Sequence, residues 1–344
     1  MRIKRVFALV AAALISLSLL SGCAKKSNES SSAGKSTTTT AAAAKTKVNA
    51  AVIKGPSGIG MVNLMELNSI KGASNDYNFT TLSSPEEIVA KVSSGEVDLA
   101  TPPTNLAAAL YNRLNGNVKM LAVSTKGVLY IMENGDTIKS VADLKGKTIY
   151  TTGQGANPEY ILKYILTKNG IDPEKDVKIE YKTENDELAT LLATGTASVA
   201  LVPEPVVTTV KAKKAELRVA LDMTAEWERA SGGESRLLMG CVIARKEFIE
   251  KNPDAVTKFL AEYKASIEKA GSDIDTTSAL CEKYGIIPKA AVAKAAIPRC
   301  SLTYVDGNAM MEQIKGYFDV LFAANPKSVG GALPDDAFYY NAQK

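Results

Sequence analysis

Between residues 48 and 222 the chain alternates short apolar runs of strand type with longer runs of helix type, and the strand-type runs repeatedly end in glycine or proline. Strands separated by helices do not close into hairpins, so this order points to an α/β fold of parallel sheets covered by helices. Strands are predicted at 48–54, 77–82, 97–100, 118–124, 128–133, 147–151, 177–181, 199–202 and 217–221. Helices are predicted at 61–70, 85–94, 102–115, 157–168, 185–193 and 203–213. Two starts are well marked. Ser84-Pro85-Glu86-Glu87 is a capping box with proline at the first helical position, and Asn157-Pro158-Glu159 opens another helix. After Asp222 the pattern changes to one strand at 237–244 and a mostly helical stretch at 246–325. A chain built this way returns at its end to complete its first lobe.

The two halves of the alternating region resemble each other. EEIVAKVSSGEVDLATPP at 86–103 matches DELATLLATGTASVALVP at 186–203, pairing Gly95 with Gly195 and Ala100 with Ala200 at an offset of 100 residues. Upstream, Gly58-Ile59-Gly60 corresponds to Gly153-Gln154-Gly155. Such punctuation is common to any αβ unit. The sharper reading is two similar lobes, each an open sheet with a glycine loop at a strand's carboxyl end. Ligands of open α/β sheets sit at that end, where glycine admits backbone and helix starts offer free N–H groups.

Five segments would converge there: 56–61, 101–105, 125–130, 152–157 and 203–205. The candidate ligand residues are Ser57, Gly58, Ile59 and Gly60 in the first, and Thr101, Pro102, Thr104 and Asn105 in the second. Lys126 and Tyr130 come from the third, Thr152, Gly153, Gln154, Gly155 and Asn157 from the fourth, and Glu204 from the last. Each loop taken singly is equally a helix cap with no ligand. The hydroxyls and helix dipoles suit an anion. Tyr130 or Trp227 offers a stacking surface to a neutral heteroaromatic, and Glu204 offers a carboxylate to an amine. Glu204 is equally a solvated residue at a helix start, and Trp227 equally packs at a hinge.

Much chemistry is excluded. The chain has no histidine, which removes Ser-His-Asp and Cys-His catalysis and every His-ligated metal site. Asn63 and Pro158 stand where a dinucleotide fingerprint needs its third glycine. There is no phosphate-binding loop, and Ser57 is not in a nucleophile elbow. The carboxylates are spread over predicted helix faces. No enzyme activity, cofactor or metal is expected. The formal charge of +4 falls to +1 once Arg2, Lys4 and Arg5 leave with a cleaved leader, so nothing electrostatic points to nucleic acid.

That leader is residues 1–22: a basic start, then VFALVAAALISLSLL, which is too short to span a bilayer. Leu20-Ser21-Gly22-Cys23 resembles the bacterial lipobox, which implies cleavage before Cys23 and a lipid on its sulfur. Residues 23–47, rich in Ser, Thr, Ala and Lys, read as a disordered tether. Cys241, in LLMGCVIA, reads as a buried thiol. Cys281 and Cys300 are either a disulfide or two separate buried thiols.

With GEVDLATPP, SVADLKGKTIYTTGQGANPEYILKYIL and VALVPEPVVTTV added to the lipobox and tether, nearly the whole mature chain resembles the solute-binding lipoproteins of ABC importers. More narrowly it is similar to their nitrate/sulfonate/taurine and thiamine-precursor group. The resemblance implies a periplasmic-binding-protein type II-like fold: lobe 1 at 48–133 plus 234–344, lobe 2 at 134–233, and crossovers near 133–136 and 227–236. It implies a monomer held at the outer face of a membrane by its lipid, with ABC permease and ATPase subunits as partners. The implied ligand is a sulfonate or other oxyanion, or a thiamine-precursor-like heteroaromatic. A membrane-tethered sensor on the same fold, and less readily an enzyme on it, are the competing functions.

Overall fold

In the computed structural model, which describes residues 44–341, the strand ends are gathered on one cleft. The leader, Cys23 and most of the tether lie outside the described residues. The strands are β1 (Lys47–Ile53), β2 (Asp76–Leu82), β3 (Leu99–Ala100), β4 (Val118–Lys126), β5 (Leu129–Glu133), β6 (Thr148–Thr152), β7 (Lys178–Lys182), β8 (Val199–Pro203), β9 (Arg218–Asp222), β10 (Leu238–Arg245) and β11 (Leu302–Asp306). They sort into a six-stranded sheet, β11-β4-β10-β3-β1-β2, and a five-stranded sheet, β7-β6-β8-β5-β9.

Both sheets are mixed rather than wholly parallel. β1 runs parallel to β2 and β3, and β6 parallel to β7 and β8. β10 pairs antiparallel with β3 and β4, and β5 pairs antiparallel with β8 and β9. β5 and β10 are the strands the chain enters directly after passing between lobes. β11 falls inside the stretch predicted to be mostly helical and pairs with β4. Four of its five residues are half-buried and Asp306 is exposed, so it shows no clean strand alternation.

The first crossover differs from expectation. β4 ends in the first sheet at Lys126 and β5 begins in the second at Leu129, so the chain crosses at Gly127-Val128 and not at 133–136. The turn at Asn134 only leaves β5, its N–H donating to the Ser198 carbonyl at 2.8 Å. The second crossover runs from β9 to β10 through the helix Met223–Ala230, which carries Trp227. The two crossovers touch. A Cβ on Gly127 would stand 2.3 Å from Thr224 Oγ1 and 2.6 Å from Leu237 Cδ2.

The offset-100 match has a structural counterpart. Helices Pro85–Ser94 and Asn185–Thr194 both end in left-handed glycines, Gly95 at φ 77° and Gly195 at φ 80°, and each leads into a buried strand. One apolar cluster runs through both lobes, from Val123 and Leu238 at the crossovers to Ile149 and Leu201 in the second sheet. A second joins β1 to the C-terminal helices through Ile59, Tyr263 and Ile286.

The bridge left open for Cys281 and Cys300 is not formed; both thiols are free, as is Cys241. Cys281 and Cys300 pack as small apolar side chains inside the second cluster, and Cys241 packs inside the first. Burial pushes the Cys281 thiol up to about 12 and that of Cys300 higher, so the thiolate needed for disulfide exchange is scarce. Among the described residues no helix is long and apolar enough to cross a membrane.

Candidate functional site

Two helices, one from each lobe, begin without a side-chain cap, and both begin on the same cleft. Thr104–Arg113 follows β3 in the first lobe; Asn157–Lys168 follows β6 in the second. A helix start leaves N–H groups unpaired and carries the positive end of the dipole. By contrast the third helix at the cleft, Pro85–Ser94, is closed by the capping box read from sequence. Ser84 Oγ accepts from the Glu87 N–H, and Glu87 Oε2 accepts from the N–H groups of Ser83 and Ser84 at 2.9 Å. Those backbone donors hold the Glu87 carboxyl below the usual carboxylate range.

The cleft has a volume of about 410 Å³. Ile53, Pro56, Ser57, Pro103, Asn105 and Thr125 come from the first lobe, with Met239 from β10, and Ala156, Asn157 and Pro158 come from the second. The polar groups are few: Ser57, Asn105, Thr125 and Asn157, with Lys54 and Glu86 beside them. Asn157 is only 6 % exposed, and its Oδ1 is buried without a hydrogen-bond partner. An unpaired buried amide costs roughly 1–3 kcal/mol, and a ligand or a water in the cleft would supply the missing donor.

Of the residues chosen from sequence, Ser57, Asn105 and Asn157 line this cleft. The others hold the structure around it. Thr101 Oγ1 accepts from the Ile53 N–H at 3.0 Å, tying β1 to the end of β3. The Pro102 carbonyl accepts from the Cys241 N–H, and Thr104 Oγ1 donates to the Leu238 carbonyl at 2.7 Å. Lys126 is half-buried, and its N–H donates to the Ser301 carbonyl. Thr152 Oγ1 donates to Asn185 Oδ1 at 3.0 Å, and Gln154 is exposed.

Gly58, Ile59 and Gly60 do not present free N–H groups to the cleft. The segment predicted as a loop is a one-turn helix, Pro56–Ile59; the N–H groups of Gly58 and Ile59 donate to the Gly55 carbonyl, and that of Gly60 to the Gly58 carbonyl. Gly155 lies instead on a groove between helices Asn157–Lys168 and Gly307–Ala324, and its N–H donates to Glu159 Oε2. That groove, about 780 Å³, is larger than the cleft. Its carboxylate Glu159 is already paired with Lys163, and no strand carboxyl ends converge on it, so the cleft is the better site.

Glu204 is neither solvated nor open to an amine. It is 1 % exposed and ion-paired with Arg299 at 2.5 Å, with Thr208 donating to it from N–H and Oγ1. Burial raises its pKa, and the neighbouring Arg299 opposes the shift. Tyr130 OH donates to the Arg299 carbonyl at 2.8 Å. Tyr130 and Trp227 are therefore no stacking platform. The Trp227 ring is 0 % exposed, packed between Tyr164 and Tyr317, and its Nε1 donates to Ser235 Oγ.

Comparison with known proteins gives a consistent picture. Residues 72–287 match the model of a family described as ABC transporter, phosphonate, periplasmic substrate-binding protein. YtlA of Bacillus subtilis is 29 % identical over 123 residues, which is 36 % of this chain and 34 % of that protein. The chain thus spans about a third of that relative's length. Among solved structures, an ABC transporter protein of Parabacteroides distasonis superposes with TM-score 0.73 at 22 % identity, over 86 % of this chain and 99 % of that one. The periplasmic aliphatic sulphonate binding protein SsuA of Escherichia coli gives 0.68 at 16 % identity, over 86 % and 92 % of the two chains. At these identities the likeness to solved structures is one of fold.

Proposed function

Because the chain belongs to the family of ABC transporter, phosphonate, periplasmic substrate-binding proteins, we propose that its cleft captures a small organic anion, a short alkyl phosphonate or sulfonate, and delivers it to an ABC importer. The reading is carried by one observation: two uncapped helix starts, one from each lobe, open on one cleft beside the unpaired amide of Asn157. Positive dipole ends favour an anionic head. Pro56, Leu106, Val128 and Met239 give an alkyl chain an apolar wall. Among the described residues no aromatic side chain lines the cleft, which disfavours a thiamine-precursor-like ring. The aliphatic sulphonate in the name of the Escherichia coli protein is of the same chemical class.

A ligand held by both helix starts stabilises the closed lobes, with the touching crossovers at Gly127 and Thr224 as the hinge. The rest of the reading follows from the family and the leader. A lipid on Cys23 holds a monomer at the outer membrane surface, and a permease and ATPase receive the solute. We assign no catalysis to the cleft. Mass spectrometry of the membrane-extracted protein should find the acyl group, and Cys23→Ala should lack it.

The direct test is a thermal-shift panel of alkyl phosphonates, alkyl sulfonates, nitrate and aminopyrimidines. A ligand at a hundredfold excess over Kd stabilises by about 2.7 kcal/mol, which is several degrees at ~2–4 °C per kcal/mol. Asn157→Ala should weaken binding roughly tenfold, since about 1.4 kcal/mol is a factor of ten. A shift with aminopyrimidines and with no organic anion would replace this reading.

A further inference from the structure

We propose that the buried Glu204–Arg299 ion pair is a latch between the lobes, made outside the ligand cleft: it favours the closed arrangement before a ligand arrives and so sets how tightly one is held. The inference rests on the reading above that a ligand is captured by closing lobes, and it is independent of the ligand's chemistry.

The pair joins two bodies. Arg299 ends the helical turn Ile297–Arg299, whose Ile297 packs with Cys300 in the apolar cluster of β1 and the C-terminal helices. From there the chain enters β11 of the six-stranded sheet. Glu204 follows β8 of the five-stranded sheet, Thr208 lies in the helix Val206–Lys213 that comes next, and Tyr130 lies in β5 of the same sheet. Other ion pairs, such as Lys283–Glu66 and Arg245–Asp98, stay within one lobe.

The second lobe grips Arg299 by its side chain and by its backbone. Arg299 Nε donates to Glu204 Oε1 at 2.5 Å, and Nη2 donates to Thr208 Oγ1 at 2.6 Å. Thr208 Oγ1 donates in turn to Glu204 Oε1 at 3.1 Å, which closes a ring of three side chains. The Tyr130 hydroxyl holds the Arg299 carbonyl. None of these four residues lines the cleft, so the ring acts on closure without touching a ligand. It stands beside the first crossover, where the Glu204 N–H donates to the Val128 carbonyl at 3.0 Å.

Burial makes this contact a choice between two arrangements. A buried carboxylate that loses its partner is strongly unfavourable, so Glu204 is either paired across the lobes or hydrated in an open form. Arg299 is half-buried, which gives water a way in as the pair parts. Hydrogen bonds are short-ranged, and a relative shift of about 1 Å takes them out of reach even close to a hinge. A buried ion pair adds little to the stability of a fold beyond what apolar side chains of the same shape would give. Its effect here is on which arrangement the lobes adopt. Apparent affinity falls with the fraction of protein in the binding-competent arrangement, so favouring the closed one tightens capture.

The test measures lobe separation in the ligand-free full-length protein by pulsed electron resonance. Spin labels go on Lys258→Cys, exposed on helix Pro253–Ser272 of the first lobe, and on Asp186→Cys, exposed on helix Asn185–Thr194 of the second. Cys23→Ala leaves only the introduced thiols to react, because Cys241, Cys281 and Cys300 are buried. With the latch intact the shorter inter-lobe distance should dominate. Glu204→Gln keeps the shape and removes the charge, and it should raise the ratio of long to short distances at least about tenfold, the scale of a lost hydrogen bond to a charged group. Tyr130→Phe removes one neutral bond across the lobes and should raise the ratio roughly threefold; it decides the matter if Glu204→Gln does not fold. Circular dichroism and the ligand-free Tm establish folding of each variant. Folded variants with the distances of the latched protein overturn the inference, as does a latched protein already at the longer distance, and in both cases the capture reading stands. A thermal-shift panel in which no organic anion binds sinks that reading and leaves the distance measurement as it is.

Discussion

Gly58 opens the Gly-x-Gly of the first lobe and Gly155 closes that of the second, in two strand–glycine–helix units. A Cβ on Gly58 would stand 2.4 Å from the Ile53 carbonyl oxygen and 3.0 Å from two atoms of Ile286. A Cβ on Gly155 would meet nothing within 4 Å, but the backbone there is left-handed, with φ +73°. The first lobe uses glycine because it has no volume, and the second because of the sign of φ. The difference comes from what covers each loop. Helix Pro253–Ser272 presses Ile267 and Tyr263 onto the first, with Ile286 from the turn after helix Ile274–Lys283, and the second is exposed. Identical residues in similar local sequence therefore do not mark identical roles.

The largest effect that would sharpen this contrast is at Gly58. Gly58→Ala collides with backbone, which cannot swing aside, and should cost about 3 kcal/mol, the upper end of overpacking costs. Urea denaturation of the variant measures it; a loss under about 1 kcal/mol would show that the loop is free to move. Gly60→Ala should cost less, about 1–2 kcal/mol, because its Cβ would meet the flexible side chain of Ile267 at 2.9 Å. Smallest is Gly155→Ala, at about 1 kcal/mol for a left-handed non-glycine residue, with ligand affinity unchanged. Gly155→Asn should recover part of that loss, because asparagine tolerates the left-handed region. Equal losses for Asn and Ala at Gly155, or a larger loss there than at Gly58, would break the comparison.

The same distinction governs what could be read in advance. The capping box at Ser84, the helix start at Asn157 and the glycine stops at Gly95 and Gly195 rest on contacts within a few residues, and each is where the pattern placed it. Ser57, Asn105 and Asn157 were chosen because a strand's carboxyl end and a helix start must lie together, and all three reach the cleft. Glu204 was misread because its partner Arg299 is 95 residues away, and neither position carries a local mark of the other. Tyr130 is core and not a stacking wall, and Trp227 takes the hinge-packing alternative, because aromatic residues suit a core and a binding wall equally well. The crossover at Gly127 was missed because the Asn134-Gly135-Asp136 turn gives the stronger local signal, while the exchange of sheets happens in the short segment Lys126-Gly127-Val128 between two predicted strands.

Sequence alone determined the order of the main strands and helices up to Asp222, most of their stops, and the side of the sheets on which a ligand would sit. Those follow from periodicity, backbone sterics and chain direction, which act over a handful of residues. Only the tertiary structure decided which strands cross between lobes, which glycines serve volume and which serve φ, and which polar groups remain unpaired. Gly240 shows why: a missing Cβ has meaning only once Ser57 and Thr125, from distant parts of the chain, stand within 2.4 Å of where it would be.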